Sequence, residues 1–366
     1  MMNEKWLFDL YVDYLMVSSD QVTATGLSEA VDGSVSHDKI TRLLSQSPEL
    51  FESQSYWKRI KPVVRKVESD EGILILDDFI VEKPHSSENE LICWHHSHLK
   101  GGVVKGINIV HLQYNVHHDS QAVNLPVGFE FVRKTEIQKD EKTGKETRVS
   151  PTNKNEIARE LLRQAHFMHH IPFRWVLADS WYSNAANMKF IHSKLKKHFL
   201  FGLKSNRKVA LSKGQLRRKD FVKLVDLKLQ PGQVQQIWLD RVPFPLYVAK
   251  EVYVNADQSK GELYLVTNKE GMTYQQMISL YPERWRIEPS HKSLKNNASI
   301  AASPTKTPET QANHIVASFC ALVQFEWIKI HSSIKNHFAI KRKFYSAAIK
   351  IAFKELQQLK YSIARA

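Results

Sequence analysis

Two short apolar runs constrain this chain most. GILIL stops at Asp77 and Asp78, and FRWVLA stops at Asp179. An acid placed after four or five buried apolar residues is held rigidly at the edge of a sheet, and in open α/β sheets ligands gather at the carboxyl ends of strands. ELICWHHSH, VKGINIVHLQY and VGFEFVRK read as further strands, and NEIARELLRQAHFM as a helix that Asn153 can cap. Strands alternating with helices predict an α/β fold built on a mixed sheet.

The pattern before Gly72 is different. Residues 1–68 read as short helices, with Gly33 breaking the chain, Ser36 able to cap, Asp38 in a first turn, and Ile40, Leu43 and Leu44 on one apolar face. That arrangement suits a helix-turn-helix, whose last helix would enter a major groove, and equally a plain helical bundle. From Thr273 onward helices return. The final one, within 341–364, is amphipathic and basic, and suits packing at a surface better than anchoring in a membrane.

The charge points to a partner. Lys and Arg number 52 against 38 Asp and Glu, a formal +14, which favours a polyanion through phosphate contacts and counterion release. Residues 204–228 hold nine basic residues, Lys204, Arg207 and Lys208 among them, against Asp220 and Asp226, so half of the net charge lies in 25 residues. No stretch approaches the roughly 18 apolar residues of a membrane span, and acids interrupt the apolar start, unlike a signal peptide. Cys93 and Cys320 provide neither a disulfide framework nor a zinc pattern, so a reducing cytoplasm is the expected setting. His95, His96 and His98 cluster in HHSH but lack cysteine partners or a placed fourth ligand for zinc.

Two strand-end acids beside a third carboxylate would repel unless a proton or a cation intervened. Mg²⁺ prefers oxygen ligands and keeps open positions for phosphate, and a pair of such ions suits in-line phosphodiester cleavage. The third acid is offered by Glu288. On a helix at about 100° per residue, Tyr281, Arg284, Glu288, Lys292 and Lys295 fall in a sector of about 80°, placing one acid, three cations and a phenol on one face. The ordinary alternative is a surface helix with i,i+4 ion pairs worth a few tenths of a kcal/mol each. Pro289 directly follows Glu288, and a proline inside a helix costs about 3 kcal/mol, so a kink is expected just past the acid.

Tyr281, Arg284, Glu288 and Lys295 match the spacing Y-x2-R-x3-E-x6-K. Over roughly residues 70–320 the sequence resembles the insertion-sequence-four family of bacterial DDE transposases, whose first and second Asp motifs LILDDFIVEKP and VLADSWYS are similar to. The resemblance implies an RNase H-like core over 69–205 and 271–325, interrupted by a β-rich insertion domain at 206–270. An all-helical N-terminal DNA-binding domain at 1–68 and a helical tail at 326–366 complete the expected layout. It further implies Asp78, Asp179 and Glu288 as ligands of two Mg²⁺ (or Mn²⁺) ions, Asp78 being preferred to Asp77 because the motif places its catalytic Asp second in the pair. Tyr281, Arg284 and Lys295, with Lys292, would contact the DNA of the transposon ends, and Lys204, Arg207 and Lys208 would add phosphate contacts. Family members often flip a base onto an aromatic ring, for which Trp238 is a candidate against the usual expectation that a Trp packs in a core. Holding both terminal inverted repeats together implies a dimer on double-stranded DNA, in the bacterial cytoplasm near the nucleoid. Phe79 departs from the family, which often has Thr there. A stand-alone RNase H-like nuclease or resolvase, and an inactive DNA-binding remnant, are the competing readings.

Overall fold

The computed structural model describes residues 4–46, 53–97, 100–139, 141, 144, 146–254 and 257–363. Helices α1 (Glu4–Val17), α2 (Ala24–Ala30), α3 (His37–Leu44) and α4 (Ser53–Val67) come first. Strands β1 (Ile73–Glu82), β2 (Cys93–Ser97), β3 (Gly102–His118), β4 (Gln121–Phe131), β5 (Glu136–Lys139) and β6 (Glu146–Val149) follow. Next are α5 (Lys154–Arg163), β7 (Trp175–Ala178), α6 (Ala185–Lys189) and β8 (His198–Leu203). The strand-rich stretch holds β9 (Lys208–Val209), α7 (Lys213–Arg218), β10 (Val222–Lys223), β11 (Val234–Ile237), β12 (Leu246–Val254) and β13 (Lys260–Thr267). Helix α8 (Tyr274–Leu280), a 3₁₀ segment (Tyr281–Arg286), α9 (Ile287–Asn296), α10 (Pro308–Ile330) and α11 (His337–Ile363) end the described chain.

These elements divide into two compact units, one of residues 67–79 and 108–288, the other of residues 1–66, 80–107 and 289–366. The first unit is a sheet with helices. Its strands run β11-β12-β13-β8-β7-β1-β3, and β4 also pairs with β3. The three central strands β1, β7 and β8 are parallel, in the register Ile75↔Leu177↔Leu200. Strands β13, β12 and β11 extend the sheet antiparallel. The apolar runs that open β1 and β7 lie in the middle of the sheet, with a strand on each side. Ile75, Leu177 and Leu200 cluster with Met277, Tyr281 and Ile287, so the segment from α8 to the start of α9 covers that face. The mixed α/β expectation is met. Residues 206–270 place β11, β12 and β13 in the large sheet, while β9 and β10 pair apart as a small ribbon.

The second unit packs α1 and α3 against α10. Tyr11 and His314 hydrogen-bond at 2.9 Å, and Leu15, Ile40 and Phe319 are fully buried. The turn expected at Gly33 is present, with φ at +70°, and Ile40, Leu43 and Leu44 are all buried as the apolar pattern required. Ser36 occupies the N-cap of α3, but its side chain makes no capping bond. Strand β2 pairs with the start of β3 and turns His95 inward and His96 outward; His98 lies outside the described residues. Helix α11 buries only His337 and Ile340 among its described residues. No described helix is long and apolar enough to cross a membrane.

Candidate active site

The acids occupy the positions that strand periodicity assigns them. Side chains alternate across a strand with period two. Ile75, Leu177 and Leu200 share one face of the sheet, so Asp77, Asp179 and Gly202, two residues further along each strand, continue that row. Contacts at Gly202 support the continuation. A Cβ there would lie 2.9 Å from the Tyr281 hydroxyl and 3.2 Å from the Ser180 nitrogen, so only a glycine admits Tyr281 this close to the end of β7. Tyr281 is 4% exposed and its hydroxyl lies 3.5 Å from the Ala178 carbonyl oxygen. Burial pushes the Tyr281 phenol up to about 12.

Asp77 and Asp78 face different surroundings although they are adjacent. Burial, reinforced by the charges of Asp78 and Asp179, pushes the Asp77 carboxyl up to about 7. The Asp78 backbone N–H, which donates to Asp77 Oδ1 at 2.9 Å, and the positive charge of Arg284 pull the other way. Asp78 instead accepts from Lys154 Nζ at 2.8 Å and from the Tyr182 hydroxyl at 3.0 Å. Lys154 opens α5, where the helix dipole disfavours a cation, and the Asp78 carboxylate offsets that cost. Tyr182 is fully buried, which pushes its phenol well above the ordinary value.

Arg284 lies between two acids. Its charge acts on Asp77, and its guanidinium is 3.7 Å from Glu288 Oε1. The Glu288 side chain is 57% exposed, whereas that of Arg284 is 13% exposed. The helix expected over 281–295, kinked just past Glu288, is two elements, a 3₁₀ segment ending at Arg286 and α9 starting at Ile287. In a 3₁₀ turn residues i and i+3 eclipse, so Tyr281 and Arg284 still share a side. Pro289 falls in the first turn of α9, where its missing N–H has no intrahelical acceptor to lose. The change of helix type therefore lies before Glu288 and not after it. Lys292 and Lys295 follow on the Glu288 side of α9, and both are exposed.

Among the described residues, no three Asp, Glu, His or Cys side chains are gathered closely enough to hold a metal ion. Asp77 and Asp179 feel each other's charge, but Glu288 leans toward Arg284. Phe79 is buried edge-on to His111 at 6.5 Å. Lys204 and Lys208 are exposed and Arg207 is half-buried. Trp238 is 6% exposed, its backbone bridged to Ala210 and its ring 5.2 Å below Lys213 Nζ. Sequence reasoning missed Lys154 and Tyr182. The signal for Tyr182 was its place three residues after Asp179; Lys154 carried none, since a capped helix start predicts no cation.

The sequence profile of a transposase DDE domain matches residues 68–324, from the residue after α4 into α10. The chain belongs to the transposase DDE domain family. A search of the curated proteins found no match. The matched stretch contains Asp77, Asp78, Asp179 and Glu288 together with Tyr281, Arg284, Lys292 and Lys295.

Proposed function

We propose that this transposase cuts DNA at the ends of its element and joins the freed 3′ ends to target DNA, with Asp77, Asp179 and Glu288 as its metal-binding carboxylates. Parallel β1 and β7 carry the reading, because Asp77 and Asp179 directly follow their last paired residues, Leu76 and Ala178, on the side covered by the segment that bears Arg284 and Glu288. The donor set suits a hard cation. It is all oxygen, and the raised proton affinity of Asp77 marks a place where extra positive charge is favourable. When bound there, Mg²⁺ or Mn²⁺ supplies activation of the attacking oxygen and stabilisation of the leaving one.

Motif alignment prefers Asp78 as the first ligand. The geometry favours Asp77, which shares a face with Asp179, whereas Asp78 is engaged by Lys154 and Tyr182. In this reading Asp78 holds Lys154 in place and ties the middle of β1 to the start of α5. Arg284, Lys292 and Lys295 hold DNA phosphates, the arginine as a fork and the lysines as point charges. Tyr281 is buried and positions the end of β7 from beneath. Lys204, Arg207 and Lys208 add phosphate contacts from the end of β8 onward.

The chemistry is two displacements at phosphorus. A water oxygen attacks the phosphate at the element's end and the 3′ oxygen leaves, taking up a proton as the 3′-hydroxyl. That hydroxyl then attacks a target phosphate, forming one phosphodiester bond as another breaks, with no covalent enzyme–DNA intermediate. Two element ends must be held at once, so the active species is a dimer on DNA, with an RNase H-like arrangement of the central strands. The test uses DNA carrying the inverted repeats that flank the gene. Wild-type protein is expected to nick it only with Mg²⁺ or Mn²⁺, and Asp179→Asn to lose at least about 100-fold in rate. A pre-cut end that joins to target DNA separates a transposase from a plain nuclease. Metal-independent nicking, or equal nicking by Asp179→Asn, would overturn the proposal.

A further inference from the structure

Helix α11 leaves most of its apolar residues in solvent. Its first turns are anchored: His337 and Ile340 are buried, and the Lys341 ammonium donates to the carbonyl oxygens of Met16 at 2.8 Å and Asn297 at 3.2 Å. From Tyr345 to Ile363 every residue is exposed. That stretch is about five turns, or about 28 Å of helix. A helix of that length is marginal in water by itself and takes its stability from packing an apolar face.

The exposed apolar residues keep a strict order. Tyr345, Ile349, Ala352, Leu356, Leu359 and Ile363 follow one another at alternating steps of four and three. The five large ones are between 47% and 74% exposed. At about 100° per residue all six fall in a sector of about 80°, and Lys343, Lys350 and Lys354 lie on the opposite side. Steps of four and three average 3.5 residues, the spacing at which two helices wind round each other with their a and d side chains in the seam. Ile349, Leu356 and Ile363 take the a positions, and Tyr345, Ala352 and Leu359 the d positions. Isoleucine at a with leucine at d favours two strands.

Charge selects the occupant and its direction. The seam holds no cation, so a polyanion such as DNA or an anionic lipid surface would meet the lysine side instead. Glu355 is the one acid of α11 and occupies a g position, while Lys360, five residues on, occupies the following e position. In a parallel pair of identical helices each g faces the next e of the other helix, so each Glu355 meets the other copy's Lys360, twice by symmetry. An antiparallel pair sets g against g and e against e, and Glu355 then cannot reach Lys360.

We infer that α11 pairs in parallel with α11 of a second copy of this chain, as a two-stranded coiled coil seamed by Ile349, Leu356 and Leu359 and keyed by Glu355 to Lys360. This names the contact surface of the dimer proposed above and rests on that reading for its use in joining two element ends. The pairing itself needs no DNA.

The test is self-association of the full chain in EDTA without DNA, followed by sedimentation velocity over a range of concentrations. Wild type is expected to be a dimer that dissociates on dilution. Leu356→Glu, at an exposed position, should weaken the dimer at least about 10-fold. Glu355→Lys and Lys360→Glu should each weaken self-association, and mixing the two variants should restore it as a heterodimer, which also shows that both are folded. Leu359→Cys should crosslink to itself on oxidation, because d meets d only in a parallel pair, and Cys93 and Cys320 are buried. Wild type that stays monomeric at about 100 μM, or a dimer that survives Leu356→Glu, would overturn the pairing. Capture of monomeric wild type by anionic vesicles would assign the helix to a lipid surface instead and overturn it too. Metal-dependent nicking by a monomeric wild type would leave the proposed cleavage standing and remove only the pairing, whereas a dimer that never nicks would do the reverse.

Discussion

Asp77 and Asp78 show how one step along a strand changes a carboxylate's role. Asp77 is half-buried and feels the charges of Asp179 and Arg284, while Asp78 is neutralised by Lys154 and braced by Tyr182. Asp77→Asn should abolish metal-dependent cleavage. Asp78→Asn, which releases Lys154 without removing a ligand, should reduce it by about 10- to 100-fold in the manner of an outer-shell partner. Rate measurements on both variants check the assignment, and the reverse ranking would make Asp78 the ligand. Asp77 also predicts a pH dependence of stability. Its folded value of about 7 lies above its ordinary 3.8, so the folded state holds a proton that the unfolded chain has already released. The stabilisation is present below about pH 4 and is lost as pH rises toward about 7. Thermal unfolding in EDTA should show stability falling across that window, with Asp77→Asn flattening the fall. Added Mg²⁺ should restore stability at neutral pH in wild type but not in the variant.

At the scale of elements, the strands were the most legible part of the sequence. The runs before Asp77 and Asp179 are buried parallel neighbours, and period-two alternation alone decides which acid joins Asp179's face. The segment carrying Tyr281, Arg284 and Glu288 was legible in content but not in form. Spacing marks a shared face whether the turn is α or 3₁₀, so it did not reveal the change of helix type at Ile287. Pro289 consequently sits where proline is tolerated, and Pro289→Ala should change stability by less than about 0.5 kcal/mol, not relieve the roughly 3 kcal/mol of a mid-helix proline. Chemical denaturation measures the difference. Gly202→Ala should do the opposite. Its added methyl would meet the Tyr281 hydroxyl at 2.9 Å, costing about 1–3 kcal/mol and lowering cleavage by displacing the end of β7.

Across the whole molecule, charge was legible in the sequence and its arrangement was not. The surplus of Lys and Arg told of a polyanion, but no pattern in 206–270 revealed that β11, β12 and β13 would pair with the sheet that carries the acids. Strand pairing between distant segments leaves no local trace, because alternation reports which face is buried and not which neighbour buries it. Lys154 and Asp78, 76 residues apart in sequence, were illegible for the same reason. The basic surface predicts binding that weakens steeply with salt. Removing any one of Lys208, Lys292 and Lys295, the cations proposed to contact phosphate, should lower the slope of log affinity against log salt by about 1. Filter binding at several salt concentrations would show it.

The central claim is that Asp77 and Asp179 hold a metal ion for phosphodiester cleavage. Replacing each with cysteine tests it most directly, because a thiolate ligand tolerates Mn²⁺ better than Mg²⁺. Asp77→Cys and Asp179→Cys are predicted to be inactive on end-containing DNA in Mg²⁺ and to regain cleavage in Mn²⁺, with Asp78→Cys showing no such switch. Activity in Mg²⁺ equal to wild type for either of the first two variants would contradict it.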